Sequence, residues 1–381
     1  MARLGELCKI QSGGTPSRSN KKYWEKGTIP WVKISDIKSK YLNSAEEYIT
    51  QDGLENSAAK IFPAGTILYT IFATLGEVCI LDIDATTNQA IAGIQIENDQ
   101  IEKNYLYYYL LSLKQTVNGI GRGVAQNNIN MTILKNFEIP LIPMEEQRKI
   151  AAVLDKVSDL IAKRRQQLEK LDLLVKARFV EMFGDPVSNP KQWEMQSLSN
   201  VCKDIYGGGT PSKSHPEYFE GSIPWVSPKD MKSNIITDSI DHITEEAVKN
   251  SSAKIVPKDA VLMVIRSGIL KHTLPVAIAA VELTVNQDMK VFIAGQNITS
   301  KFLMYYFKSI EMDVLSGVRG VTADNIDFKE FQKRLVIVPP IELQQLFSDF
   351  VERTEKTKTN IKESLEKLET LKKALMQEYF G

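Results

Sequence analysis

Most of the residues on which enzymes build chemistry are scarce in this chain. Its 381 residues include only three histidines, His215, His242 and His272, and three cysteines, Cys8, Cys79 and Cys202, with no CxxC pair. No disulfide framework is expected, and the thiols read as reduced groups in or near cores. There is no GxxxxGK[ST] phosphate loop, no HExxH and no GxSxG, so neither a metal nor a cofactor is expected. The Asn-Pro at 189–190 continues as KQW and does not make the Asn-Pro-Pro-aromatic tetrapeptide with which amino-methyltransferases hold a flipped base. No run approaches the roughly 18 apolar residues of a membrane span, and the opening MARLGELCKI lacks a signal peptide's apolar stretch, so a cytoplasmic protein is expected. Excess charge of either sign is missing too, with 47 Lys plus Arg against 47 Asp plus Glu. Any basic surface must be local.

What is present is a repeat. GGTPSRSNKKYWEKGTIPWV at 13–32 returns as GGTPSKSHPEYFEGSIPWV at 208–226. NSAAKIFPAGTIL from Asn56 is answered by NSSAKIVPKDAVL from Asn250, and TTNQAI by LTVNQDM. NYLYYYL matches KFLMYYF, GRGVAQNNI (121–129) matches VRGVTADNI (318–326), and IPMEEQ (142–147) matches PPIELQ (339–344). Phe380-Gly381 then coincides with Phe183-Gly184. The chain is a tandem duplication, and because all three histidines fall in one copy, a duplicated histidine-dependent site is excluded.

Each copy has two parts. Residues 1–143 hold short β-branched runs (TIPWVKI, GTILYTIF, AIAGIQI) with one helix-like stretch near 104–117, the signature of an α+β domain. Residues 144–182 contain neither Gly nor Pro. Their apolar positions Leu154, Val157, Ile161, Leu168, Leu171, Val175 and Met182 step by threes and fours, apart from Arg164, and predict one helix of about 57 Å between Pro143 and Gly184. Phe347, Val351, Ile361, Leu365, Leu368, Leu375 and Tyr379 mark the second. The expected domains are thus 1–143, helix 144–183, 184–340, and helix 341–381. Two stripes need cover, and pairing with each other as an antiparallel coiled coil supplies it, with one globular domain near each end; folding back onto its own domain is the alternative for each helix.

The repeated polar loops are the candidate sites. Gly13, Gly14, Thr15, Ser17 and Arg18, answered by Gly208, Gly209, Thr210, Ser212 and Lys213, set glycines, hydroxyls and a cation together, which suits phosphate contact through backbone N–H and charge. A tight turn with a surface cation is the other reading. Lys33 with Asp36, and Lys229 with Asp230, follow Trp31 and Trp225, which read as core. Gly119, Gly121 and Gly123 do not end a strand and open a helix as a dinucleotide fingerprint requires, and read as a flexible, partly basic loop. Beyond them Arg122, Gln126, Asn127 and Asn128, matched by Arg319, Asp324 and Asn325, can read base edges or bond their own backbone.

In order, twice, around two long helices, these motifs and ARFVEMFGDP (177–186) resemble the specificity subunit of type I restriction–modification systems over the whole chain. The resemblance implies a non-catalytic protein with two target-recognition domains. Each reads half of a bipartite target in double-stranded DNA. An antiparallel coiled coil would recruit two adenine methyltransferase subunits and the ATP-dependent restriction (motor-nuclease) subunits. Two domains related by a pseudo-two-fold axis suit the two strands of a duplex. Loops that stay alike make the shared backbone contacts, and those that diverge read sequence. Divergence concentrates at 68–80, with Thr70 and Thr74, against 262–278, which is four residues longer and gains Arg266, Ser267, Lys271 and His272. Family members often carry arginine where Phe72 stands, so the two domains are expected to recognise different half-sites.

Overall fold

The computed structural model describes residues 1–121, 128–317 and 325–381. They form two compact units, residues 1–165 with 363–381, and residues 166–362. The division falls inside the two long helices and not at their ends, because each unit holds the start of one helix and the end of the other.

In the first unit a five-stranded sheet carries the fold. Its strands are β1 (Cys8–Ser12), β2 (Tyr41–Leu42), β3 (Ile67–Thr70), β4 (Val78–Leu81) and β5 (Ile91–Ile96), in the order β1-β5-β3-β4-β2. All pairs are antiparallel except β2 with β4. A smaller sheet joins Ile29–Val32 to Glu47–Ile49 and Thr86–Thr87. The helix α1 (Lys103–Ser112) buries every residue from Tyr105 to Leu110, so it shows no amphipathic stripe. The helix-like stretch near 104–117 is two helices, α1 and Lys114–Gly121.

The long helix α2 runs Met144–Phe183. Gly184 ends it at φ +78°, donating its N–H to the Val180 carbonyl at 2.8 Å, the left-handed stop for which glycine is suited. The second unit repeats the plan with β6 (Cys202–Gly207), β7 (Ile235–Ile236), β8 (Val261–Val264), β9 (Val276–Ala279) and β10 (Met289–Ala294), ordered β6-β10-β8-β9-β7, then α3 (Ser300–Ser309) and α4 (Ile341–Phe380).

Within each unit the helix segments run antiparallel. In the first, Arg165 pairs with Glu369 at 2.7 Å and Arg164 donates to the Ser364 hydroxyl at 3.2 Å, while Phe380 lies 5.4 Å from the Tyr105 ring. In the second, Asp172 meets Lys358 at 2.8 Å and Phe179 meets Phe347 at 5.4 Å. Phe179, Phe183, Phe302 and Phe347 form one aromatic cluster, all wholly buried. The apolar spacing passes from Val175 to Met182 and misses Phe179 and Phe183, since these face the globular core as well as the other helix. It also misses Thr354 and Lys358, buried polar residues between Val351 and Ile361. Lys358 is tolerated there because Asp172 and Glu355 both lie 2.8 Å from its ammonium.

The IPMEEQ and PPIELQ motifs owe their glutamines to the helix starts. Gln147, with no exposed surface, accepts from the Glu102 N–H at 2.8 Å and donates to the carbonyls of Gln100 and Ile142 at 2.8 and 2.9 Å. Gln344 does the same with Thr299, Asn297 and Pro339. All three cysteines are buried and unpaired, and burial pushes each thiol up to about 12. Among the described residues no helix is long and apolar enough to cross a membrane.

A Gln344→Leu substitution keeps the bulk and strands one N–H and two carbonyls. Each buried unsatisfied group costs about 1–3 kcal/mol, so a loss of roughly 3 kcal/mol or more is expected. Urea unfolding followed by circular dichroism checks it.

Candidate nucleic-acid interface

The repeated GGTPS loops are built into the body of each unit. Gly13 and Gly14 donate their N–H groups to the carbonyls of Ile91 and Thr87, at 3.0 and 2.8 Å, and Trp31 Nε1 donates to the Gly14 carbonyl at 3.0 Å. Gly208 and Gly209 donate to Met289 and Val285, and Trp225 Nε1 to the Gly209 carbonyl at 3.0 Å. Their backbone donors are thus already used. A Cβ on Gly14 would stand 2.3 Å from the Ala58 carbonyl carbon, and one on Gly209 2.3 Å from that of Ser252. Gly13, Gly14, Gly208 and Gly209 are corrected from phosphate donors to close-packing positions. The hydroxyls of Thr15 and Thr210 bond Gln89 and Gln287, which explains why GGTP and the Asn-Gln motif repeat together.

The polar side chains beyond them lie at the surface. Ser17 and Ser212 are exposed and bond Ser19 and Ser214. Arg18 is ion-paired with Glu47 and lies over Trp24 and Trp31, 3.7 and 4.6 Å from the ring centroids, whereas Lys213 is exposed. Lys33 reaches Glu47 at 2.8 Å and Glu46 at 3.3 Å, so these carboxylates raise its pKa. Lys229 pairs with Asp241 at 2.6 Å. Asp36 and Asp230 accept the N–H groups of Lys33 and Ser227, at 2.7 and 2.8 Å, and hold local turns.

The divergent segment is the β3–β4 hairpin in the first unit and the β8–β9 hairpin in the second. The strand residues are buried, so the exposed part of the difference lies in the connections 71–77 and 265–275. The four extra residues accommodate a short helix, Gly268–Lys271. Ser267 caps it by accepting the Ile269 N–H, and Lys271 and His272 are exposed at its end. Thr70 is corrected from a contact residue to a turn residue: wholly buried, its hydroxyl donates to the Thr74 carbonyl and accepts the Glu77 N–H at 2.9 Å. Thr74 itself is exposed.

Each connection is joined to the second candidate segment. Phe72 bridges Asn128, and the Ile129 N–H donates to the Ile71 carbonyl at 2.9 Å. Arg266 bridges Asn325 in the same way, with Ile326 donating to Ile265 at 2.9 Å. Two loops distant in sequence thus form one edge in each unit. Arg122, Gln126, Asn127, Arg319 and Asp324 lie outside the described residues. Gly119 and Gly121 belong to the helix Lys114–Gly121, correcting the flexible-loop reading there; the Asn118 amide ties it to the Leu75 carbonyl at 3.3 Å. At the shared position the first unit presents Phe72, 41% exposed, and the second Arg266, 3.7 Å from Asp288. Among the described residues no cluster of His, Cys, Asp and Glu is arranged to hold a metal.

Gly14→Ala drives its methyl into backbone and is expected to destabilise by about 2 kcal/mol or more. Gly119→Ala, with nothing within 4 Å of the new methyl, is expected to be neutral or to stabilise by up to about 1 kcal/mol. Paired urea melts distinguish a packing glycine from a permissive one.

The family model of the Type I restriction modification DNA specificity domain matches residues 1–171 and again 190–370. The chain is similar to the type I restriction enzyme MjaIX specificity subunit of Methanocaldococcus jannaschii, 28% identical over 372 residues that cover 92% of this chain and 85% of that protein. It is also similar to the EcoR124I/EcoR124II specificity subunit of Escherichia coli, 28% identical over 380 residues, 95% of this chain and 88% of the relative. Among solved structures, one chain of a type I R-M system, described for its complex assembly and conformational transition, matches with a TM-score of 0.61 at 20% identity, covering 100% and 96% of the two chains. The S subunit from M. genitalium matches at 0.57 and 16%, covering 100% and 95%. At such identities the likeness is one of fold.

Proposed function

We propose that this chain, which belongs to the family of the type I restriction modification DNA specificity domain, gives a type I restriction–modification complex its DNA target. Residues 1–143 and 184–340 are the two target-recognition domains, and each reads one half of a bipartite, asymmetric sequence in duplex DNA. The helices 144–183 and 341–381 form the antiparallel coiled coil that sets the spacer between the half-sites. They also recruit two adenine methyltransferase subunits, and for cleavage the restriction subunits. The chain itself is the non-catalytic member and needs no cofactor. Its place is the cytoplasm, where the DNA is.

One observation carries this reading. Glycines, tryptophans and glutamines that the two repeats share are used inside the fold, whereas the connections 71–77 and 265–275, joined to Asn128 and Asn325, differ in length and in side chains. A scaffold kept twice with two different edges is what two different half-sites require. A neutral net charge suits a subunit whose partners also enclose the duplex and supply part of the positive surface.

Exchanging 71–77 for 265–275 in the complete methyltransferase complex is expected to change the base preference in one half-site only. Methylation-aware sequencing of a randomised target library reads the result. A folded, active exchange variant that still modifies the original sequence would place base reading elsewhere.

The helix pair makes a second, separate expectation. Four residues inserted in 158–170 lengthen one helix by about 6 Å and turn it by roughly 400°, about 40° past a full turn. The same half-sites are expected with a spacer longer by one or two base pairs, each about 3.4 Å. Modification at the original spacing alone would make the helices a docking surface and not a ruler.

A further inference from the structure

Lys290 has no counterpart in the first repeat. By the register of the central sheets, Gly207, Met263 and Lys290 stand where the first repeat has Ser12, Tyr69 and Ala92. The same face is therefore filled in two ways. Tyr69 lies wholly buried, its ring edge-on to Phe137 at 6.2 Å. Lys290 instead crosses the bare backbone of Gly207, where a Cβ would come within 3.0 Å of its Nζ. It ends over the Phe328 ring, 4.5 Å from the centroid.

This ammonium is half-buried and, among the described residues, has no carboxylate partner. Burial alone lowers its pKa from the ordinary lysine value. An aromatic face offsets only part of what an ammonium loses on leaving water. It opens into a cleft of about 710 Å³, whose lining includes Arg266, Asn325, Asp327, Phe328 and Lys329. The acids nearby are engaged: Asp327 accepts the N–H groups of Lys329 and Glu330 at 3.1 and 3.3 Å, and Asp288 accepts the Asn286 amide at 3.2 Å and stands 3.7 Å from Arg266. In the first repeat the positions of Arg266, Lys290 and Lys329 hold Phe72, Ala92 and Thr132, all neutral.

We propose that this cleft is a phosphate site of the second target-recognition domain, in which Lys290, flanked by Arg266 and Lys329, holds one backbone phosphate of the DNA, and that the first domain lacks it. The inference rests on the DNA reading above. Phosphate is favoured over a base edge because Lys290 shares the cleft with Arg266 and Lys329, and an ammonium binds phosphate as a point charge that a cluster of cations reinforces. The second half-site is then gripped by one more phosphate contact than the first.

The test uses the full chain in its methyltransferase complex and a mixed-sequence DNA duplex, with affinity measured across a salt series. Lys290→Met is expected to weaken binding by a similar factor whatever the sequence. It should lower the magnitude of the slope of log K against log salt by about 0.9, one phosphate's share. Lys290→Arg is expected to keep the slope. Gly207→Ala, which displaces the ammonium without removing it, is expected to lose it as Lys290→Met does, and it carries the test if Lys290→Met fails to fold. An unchanged slope in folded Lys290→Met overturns the phosphate site, as does a change of base preference without a change of slope. Lys290-dependent binding of inorganic phosphate with no effect on the DNA slope also overturns it, leaving a free-anion site. If the unsubstituted complex itself shows no salt-dependent duplex binding, the DNA reading fails first, a result distinct from any variant's.

Discussion

The wholly buried amides of Gln147 and Gln344 fix where each forty-residue helix leaves its globular domain. A glutamine side chain offers one acceptor and two donors, and here all three are matched to backbone groups in the strand-to-helix connection and at the helix start. That satisfaction is what allows polar side chains to sit in a core at all. With the start of the helix held, its stripe is committed. The first turns of each helix pack on their own domain, and the last turns are covered by the other repeat's core, Phe380 against Tyr105 in one unit and Phe179 against Phe302 in the other. Neither helix is an appendage.

The same economy governs the loops. Two glycines that allow backbone to touch backbone, an indole that bonds the second glycine's carbonyl, and a threonine that bonds the Asn-Gln turn lock the smaller sheet to the larger one in each unit. None of these groups is spare for a ligand, and the specificity of such a scaffold has to come from what it leaves exposed. The joined hairpin and loop edge is the place proposed for it. It carries an aromatic side chain in one unit and an arginine in the other, on matching backbone bridges. The cation over Phe328 extends the contrast into the sheet itself. Substitutions at three paired positions, each harmless to the strand pairing, turn an apolar layer into one that ends in an ammonium.

Much of this is legible in the order of the residues. The 197-residue echo from Gln147 to Gln344 and from Phe183 to Phe380 declares a duplication, and the Gly- and Pro-free stretch at 144–182 declares a long helix with ends at Pro143 and Gly184. Helical periodicity is a local property, written in every third or fourth residue, so chain order alone determines it. The α+β character of each repeat and the burial of Trp31 and Trp225 were legible for the same reason. Short β-branched runs between turn residues and large rings beside strands have few alternatives in water.

What chain order did not determine were the partners across space. Glycines beside hydroxyls and a cation look alike whether they face a phosphate or another strand, and only the positions of Thr87 and Ser252 decided for packing. Thr70 reads as a polar contact until the hairpin closes over it. Phe179, Phe183 and Lys358 fall outside the simple stripe because each answers to a core as well as to a helix, and two demands on one residue blur a period. The register that sets Lys290 beside Gly207 and Met263 joins three strands that are distant in sequence, and such pairing is decided by the folded sheet. The sequence by itself determined that there are two copies and two helices; the tertiary structure alone decided which of the shared residues are spent on the scaffold and which differing ones are left at its edge.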